Sequence, residues 1–207
     1  IGKLILIDFD VVEEVNLNRL FFRPEHLGRN KASCAAEVLR EINPDVEVEA
    51  YDADIMLMKN FEDLVRKSDL VASGLDNYPA RLFLNKVCID TNTPYVDAGA
   101  SRSGLSGYVH LVIPRKTACY QCIGSLELEK KELADEECTA SLPTTMAIIA
   151  SLQAQYAIKY LLNFGTIPGY ITYDAITDTF RVIKVKRDPQ CPICGKKAKK
   201  ISKEEAI

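Results

Sequence analysis

A short apolar run, Leu4-Ile5-Leu6-Ile7, stands almost at the start of the chain and stops abruptly at Asp8-Phe9-Asp10. An apolar run bounded by charge describes a strand buried on both faces, the kind that sits in a parallel sheet between layers of helix. The residues that follow keep to that plan. Ala32, Ala35, Ala36, Leu39 and Ile42 recur at helical spacing. Asn43-Pro44 ends that helix, because the residue before a proline is pushed out of the α region. Val46, Val48 and Ala50 alternate with acids, as in a strand with one solvated face, and lead to Asp52-Ala53-Asp54. A short helix is expected around residues 61–65, a buried strand over 69–73, and a helix opened by Pro79 and running to about Asp90. Residues 94–97 form the next strand. Strand and helix in alternation define an α/β sheet protein.

Beyond Gly99 the rhythm changes. Gly104-Leu105-Ser106-Gly107 precedes an apolar stretch at 108–113, which reads as an antiparallel extension of the sheet. A charged segment at 127–137 reads as an exposed loop. A long apolar helix is expected from about Thr144 to Asn163, with Gly165 as its C-cap. Residues 170–185 read as two strands. The expected fold class is therefore α/β: a Rossmann-like, mostly parallel sheet with an antiparallel extension and helices on both faces.

Composition excludes several classes of function. The 207 residues are 47% hydrophobic and 27% charged, enough for one globular domain with a sizeable core. A net charge of −3 and a pI near 5.5 argue against nucleic acid as the main partner. No apolar run approaches the ~20 residues of a membrane span, and no signal peptide is visible. No membrane partner and a cytoplasmic location are therefore expected.

Chemistry gathers at a few places. In open α/β sheets ligands bind beyond the carboxyl ends of the strands. Asp8 and Asp10 lie at such an end, as candidates for ribose hydroxyls or a metal. Arg19 and Lys31 offer two cations for phosphate. Acids also end many strands without any ligand, and Asp76-Asn77 taken alone is compatible with a simple turn. No Gly-rich phosphate loop occurs in the sequence.

Four of the seven cysteines form two Cys-x-x-Cys pairs, Cys119/Cys122 and Cys191/Cys194. Four thiolates suit a closed, tetrahedral structural zinc site better than two unrelated turns with free thiols. Cys138 stands alone before a Ser-Leu-Pro-Thr-Thr helix start, where the helix dipole and free N–H groups would stabilise a thiolate. On that chemistry alone a nucleophile and an ordinary surface cysteine are equally compatible. Cys34 and Cys88 read as small core residues, and His26 and His110 as satisfied structural histidines.

The order Asp-x-Asp, Asn-x-Asn-Arg and Gly-x-x-Lys, followed by the two cysteine pairs, resembles the superfamily of ubiquitin-like-modifier activating enzymes. That superfamily includes the ThiF/MoeB-like adenylyltransferases of thiamine and molybdopterin biosynthesis. The resemblance runs from about Ile1 to Cys194. The Cys-x-x-Ser-Leu-Pro-Thr-Thr, Asn-Arg-Leu-Phe-Phe and Asn-Phe-Gly-Thr runs are similar to the subfamily that activates ubiquitin-fold modifier. The resemblance implies an adenylation domain over 1–195, lacking the family's N-terminal strand and Gly-rich loop. It further implies a crossover loop at about 123–143, with a basic tail at 196–207.

By the same resemblance, Asp8 holds the ribose of ATP, and Asn16, Arg19 and Lys31 contact its triphosphate. Asp76 holds Mg²⁺, and Asn77 lines the nucleotide site. Asp54 falls where the subfamily places an Asn. The two cysteine pairs hold Zn²⁺, and Cys138 carries the modifier as a thioester. Arg19, Asp76 and Cys138 would be the catalytic residues. A ubiquitin-like protein substrate, a downstream thioester-accepting conjugating enzyme and a homodimer are implied as partners. Two rival readings are a sulfur-carrier adenylyltransferase without a catalytic thioester and an inactive, zinc-stabilised scaffold. A nicotinamide-binding Rossmann protein is disfavoured, because the cysteine pairs and Asn-x-Asn-Arg would have no role in it.

Overall fold

The computed structural model describes residues 1–19, 21–101, 104–124 and 142–196. The expected charged loop and the basic tail beyond Lys196 lie outside them. The chain forms two compact units, Ile1–Phe61 and Glu62–Ile207.

In the first unit β1 (Lys3–Ile7) pairs in parallel with β2 (Glu47–Tyr51), in a register that sets Lys3 opposite Glu47 and Ile7 opposite Tyr51. The crossover is α1 (Lys31–Ile42), which packs against both strands. Asn30 caps it, its Oδ1 accepting the Ser33 N–H at 2.9 Å. Ala32, Cys34, Ala36 and Val38 are its buried residues, whereas Ile42 is 68% exposed. At 100° per residue Ala32 and Cys34 fall on roughly opposite sides of the helix. The stripe expected through Ala32, Ala35, Ala36, Leu39 and Ile42 holds at Ala32 and Ala36, and burial extends to a second side at Cys34 and Val38.

The boundary between the units falls at the start of α2 (Phe61–Lys67). The second unit carries a five-stranded sheet in the order β3 (Val71–Ser73), β4 (Tyr95–Ala100), β5 (Ser106–Val112), β6 (Tyr170–Asp174), β7 (Thr179–Ile183). Only β3 and β4 run parallel there; β4–β5, β5–β6 and β6–β7 are antiparallel. The antiparallel extension is present, but the sheet is mixed rather than mostly parallel. Of the five pairings among the described residues, two are parallel and three antiparallel. Apolar periodicity reports burial, and it does not encode the direction of a neighbouring strand.

Helix α3 (Tyr78–Thr91) has Pro79 in its first turn and ends at Asn92 in the left-handed region. Helix α4 (Tyr120–Gly124) is a single short turn. Helix α5 (Pro143–Leu162) lies on β3, β4 and β5. Its C-cap is Asn163, at φ 51°, rather than Gly165. Asn tolerates that conformation nearly as readily as Gly, so the glycine two residues later was the weaker guide. Val96, Ala98, Val109, Leu111, Ile149, Tyr156 and Tyr173 form the core between α5 and the sheet. A Cβ at Gly107 would meet the Ile149 side chain at 2.5 Å, so that close approach of α5 to β5 requires glycine. Gln153 ties the layers together, its Nε2 donating to the Ser73 and Val96 carbonyls at 2.7 and 2.8 Å.

Cys34 and Cys88 are fully buried, as expected. His26 is satisfied, its Nδ1 accepting the Arg23 N–H at 3.1 Å. His110 departs from expectation: it is buried in β5, and its Nδ1 has no partner among the described residues. Burial lowers its pKa to about 3, so the ring is neutral. Among the described residues no helix is long and apolar enough to cross a membrane.

One buried ion pair holds α3 to the sheet. Arg81 Nη1 reaches both carboxylate oxygens of Asp97 at 2.8 and 2.9 Å, the Ala98 carbonyl at 3.2 Å and the Tyr108 hydroxyl at 2.7 Å. Asp97 is 2% exposed. Breaking such a pair strands a charge, at a cost of about 3–5 kcal/mol, whereas exchanging both partners for apolar residues can be nearly neutral. Asp97→Ala should therefore lower unfolding free energy in urea by about that much. Arg81→Met combined with Asp97→Leu should cost less than the single change. A double variant less stable than Asp97→Ala would contradict this.

Candidate functional site

The first unit gathers polar groups at the end of β1. Asp8 Oδ1 accepts the Asp10 N–H at 2.9 Å, folding the strand end back on itself. Asn30 Nδ2 donates to the Asp8 and Asp10 carbonyls at 2.7 and 3.3 Å and so staples this turn to the start of α1. Lys31 Nζ pairs with Asp10 Oδ2 at 2.8 Å. Asp8, Asp10 and Lys31 are thus brought together.

Asn16 is only 8% exposed, and its Oδ1 accepts the Glu13 N–H at 2.9 Å. That engages the oxygen in the 3-10 turn Glu14–Arg19, of which Arg19 is the last residue. Asp54 Oδ1 accepts the Met56 N–H at 2.8 Å, closing the turn after β2. In the second unit Asp76 and Asn77 are exposed between β3 and α3. Asn77 caps α3, its Oδ1 accepting the Ala80 N–H at 2.9 Å, and its Nδ2 reaches Asp76 Oδ1 at 3.3 Å. Cys138 lies outside the described residues.

The cysteine pairs converge within the second unit. The Sγ atoms of Cys119, Cys122, Cys191 and Cys194 all lie within 4.8 Å of one another, and all four residues are buried. The closest separations are Cys122–Cys194 at 3.5 Å, Cys119–Cys191 at 3.7 Å and Cys119–Cys122 at 3.8 Å. A zinc ion bound tetrahedrally by four thiolates at about 2.3 Å spaces its sulfurs about 3.8 Å apart. The four side chains therefore fit Zn²⁺ in identity, number and spacing.

Without a cation such a cluster resists full ionisation. The Cys119 thiol, bonded to Cys122, is pushed up by that bond and by burial, while Cys122 is lowered to about 5 chiefly by the same bond. Burial raises Cys194 to about 12. A divalent cation removes the conflict by binding the sulfurs as thiolates.

Local backbone shapes the two knuckles. The Cys122 N–H donates to the Cys119 carbonyl at 3.0 Å and the Gly195 N–H to the Cys191 carbonyl at 2.9 Å. A Cβ on Gly195 would lie 2.4 Å from the Cys191 carbonyl oxygen, so this turn accepts only glycine. Arg187 Nη1 donates to the Cys194 carbonyl at 2.6 Å.

Sequence reasoning missed three polar residues: the partly buried Arg81 and the buried Asp97 and Asn85. The first two form the ion pair that fixes α3. Asn85 lies against Cys119, with its Nδ2 3.8 Å from that sulfur. An Arg and an Asn on a helix carry no signal of burial by themselves.

Fold and site define a mixed α/β protein with a buried four-cysteine cluster that fits a metal ion. The sequence matches the ThiF family over residues 1–193, and the chain belongs to that family. Ubiquitin-like modifier-activating enzyme 5 of Gallus gallus is 40% identical over 207 residues, covering 92% of this chain and 52% of that protein. The Oryza sativa subsp. japonica protein of that name is 39% identical over 218 residues, covering 96% and 52%. The chain spans about half the length of the curated relatives it matches. Among solved structures, E. coli MccB with ATP superposes with a TM-score of 0.80 at 25% identity, over 94% of this chain and 60% of that one.

Elemental analysis should find about one zinc per chain, as four thiolates bind one ion. Cys119→Ser should lose it and melt at lower temperature, because metal binding here is folding free energy. Metal-free wild-type protein with an unchanged melting temperature would remove the centre from the account.

Proposed function

We propose that residues 1–195 are the adenylation domain of an enzyme that activates the C-terminal glycine of a ubiquitin-like protein. The observation that carries the proposal is the 40% identity to a modifier-activating enzyme over 92% of the chain. The substrate carboxylate attacks the α-phosphorus of ATP, and pyrophosphate leaves with its electron pair. The product is an acyl adenylate.

Asp8 binds the ribose, and Arg19, Lys31 and Asn16 meet the phosphates. Asp76 would hold Mg²⁺, which would neutralise phosphate charge, and Asn77 and Asp54 are assigned to nucleotide binding. Catalysis in this step is positioning and charge neutralisation by this chain's own cations, together with the Mg²⁺ charge when it is bound. Arg19 has the planar fork that grips phosphate oxygens, and Lys31 acts as a point charge. To reach phosphate, Lys31 must exchange its contact with Asp10. Asn77 contributes through Nδ2, since its oxygen caps α3.

In the second step the Cys138 thiolate attacks the acyl carbon and AMP leaves, so the modifier is held as a thioester. A downstream conjugating enzyme then accepts it by transthiolation. We assign the protein to the cytoplasm, as a homodimer. The buried four-cysteine cluster supports a zinc-stabilised second unit. The likeness to MccB, solved with ATP, supports ATP use; the second reading is a sulfur-carrier adenylyltransferase in which the reaction stops at the adenylate.

Arg19→Ala and Asp76→Ala should each abolish ATP–pyrophosphate exchange with a ubiquitin-like protein while leaving the melting temperature unchanged. Normal exchange in either variant would take that residue out of the site. Absence of exchange and of ATP binding in the wild type would favour the scaffold reading instead.

Cys138→Ala should retain exchange, because the thiol enters only after the adenylate exists. It should lose the reducing-agent-sensitive conjugate on a non-reducing gel. A conjugate surviving in Cys138→Ala would mean that another nucleophile takes the modifier. A wild type that exchanges but never forms a conjugate would support the reading that ends at the adenylate.

A further inference from the structure

Asn85 is fully buried in the middle of α3, a place where a side-chain amide is costly unless every hydrogen bond is made. Its oxygen is doubly engaged. Oδ1 accepts the Tyr95 hydroxyl of β4 at 2.7 Å and the Tyr120 backbone N–H of α4 at 3.1 Å. The amide orientation is fixed by chemistry, because a backbone N–H can only donate and must therefore face the oxygen. Nδ2 is left pointing at Cys119 Sγ, 3.8 Å away. Tyr95 is 1% exposed, and burial holds its pKa well above the usual phenol value, so the hydroxyl stays protonated and donates.

We infer that Asn85 is the positioning residue of the metal centre: its amide N–H donates to the metal-bound Cys119 thiolate, and Tyr95 and the Tyr120 N–H lock it in that pose. The inference rests on the reading of the four cysteines as a zinc site. Four thiolates and one Zn²⁺ leave two net negative charges in a buried cluster. N–H donors to sulfur are what the protein has to disperse them. The backbone supplies one such donor in the Cys194 N–H, 3.5 Å from Cys191 Sγ. Asn85 supplies another from a different element. It also joins α3 to the knuckle, one helical turn after Arg81 joins α3 to Asp97.

Replacing Asn85 by Asp keeps the shape and the accepting oxygen, but turns the donor facing Cys119 into a second acceptor. Tyr95→Phe removes only the hydroxyl that locks the amide. Zinc affinity is measured on each full chain by competition with a chromophoric chelator. Co²⁺-substituted protein reports the thiolate-to-metal charge-transfer band. Asn85→Asp should bind zinc roughly 10- to 100-fold more weakly, the usual effect of losing an outer partner, and Tyr95→Phe less so. Asn85→Ala should move the charge-transfer band to longer wavelength, because a sulfur without its hydrogen bond gives up electron density more easily. A merely structural loss would leave that band in place.

If Asn85→Asp fails to fold, Tyr95→Phe and the band position in Asn85→Ala still decide. Wild-type zinc affinity and an unmoved band in these two variants would overturn the role of Asn85 alone. Wild-type protein that holds neither zinc nor cobalt would overturn the metal reading beneath it.

Discussion

Helix α3 is held in place by polar contacts that the interior makes expensive to lose. Arg81 binds Asp97 and Tyr108, and Asn85, one turn on, binds Tyr95 and lies against Cys119. The desolvation of the Arg81–Asp97 pair is offset only because the guanidinium also finds the Ala98 carbonyl and the Tyr108 hydroxyl. Two anchors on one face leave the helix a single rotation and a single height against β4. Asn77, the cap of α3, and Asp76 before it inherit that position. The second unit is thus organised around a helix whose middle faces the metal centre and whose N-terminus carries the proposed magnesium and nucleotide residues.

The four-cysteine cluster is the other fixed point. Its knuckles are 72 residues apart in sequence for the contacts Cys119–Cys191 and Cys122–Cys194. Between them lie α5, β6 and β7. A zinc ion there would close a long loop, and loop closure of that kind restricts the unfolded chain as a crosslink does. Gly195 shows how tightly the second knuckle is drawn, since it leaves no room for a Cβ.

Much of this was legible in the sequence. The run ending at Asp8 gave β1, and α1 was expected and found at Lys31–Ile42. The two Cys-x-x-Cys pairs announced the four-cysteine cluster, because their spacing has few uses other than metal binding. The antiparallel extension was legible at β5, where the rhythm changes after Gly99, but its extent was not: β6 and β7 are antiparallel too, which makes the sheet mixed. Nor were Arg81, Asp97 and Asn85, whose partners come from tertiary packing and leave no periodic trace. The nucleotide residues were named by resemblance, and the geometry adds a physical qualification to three of them. The side-chain oxygens of Asn16 and Asn77 serve local turns, and Lys31 already faces Asp10.

The central claim is that this chain joins AMP to the end of a ubiquitin-like protein. It is tested most directly by incubating the protein with ATP labelled in the α-phosphate and a ubiquitin-like protein ending in glycine, then recording the intact mass and label of the latter. The account predicts label on the ubiquitin-like protein, with a mass gain of one adenylyl group that is lost when the C-terminal glycine is removed. Bound ATP with neither label nor mass gain on any ubiquitin-like protein tested would contradict it.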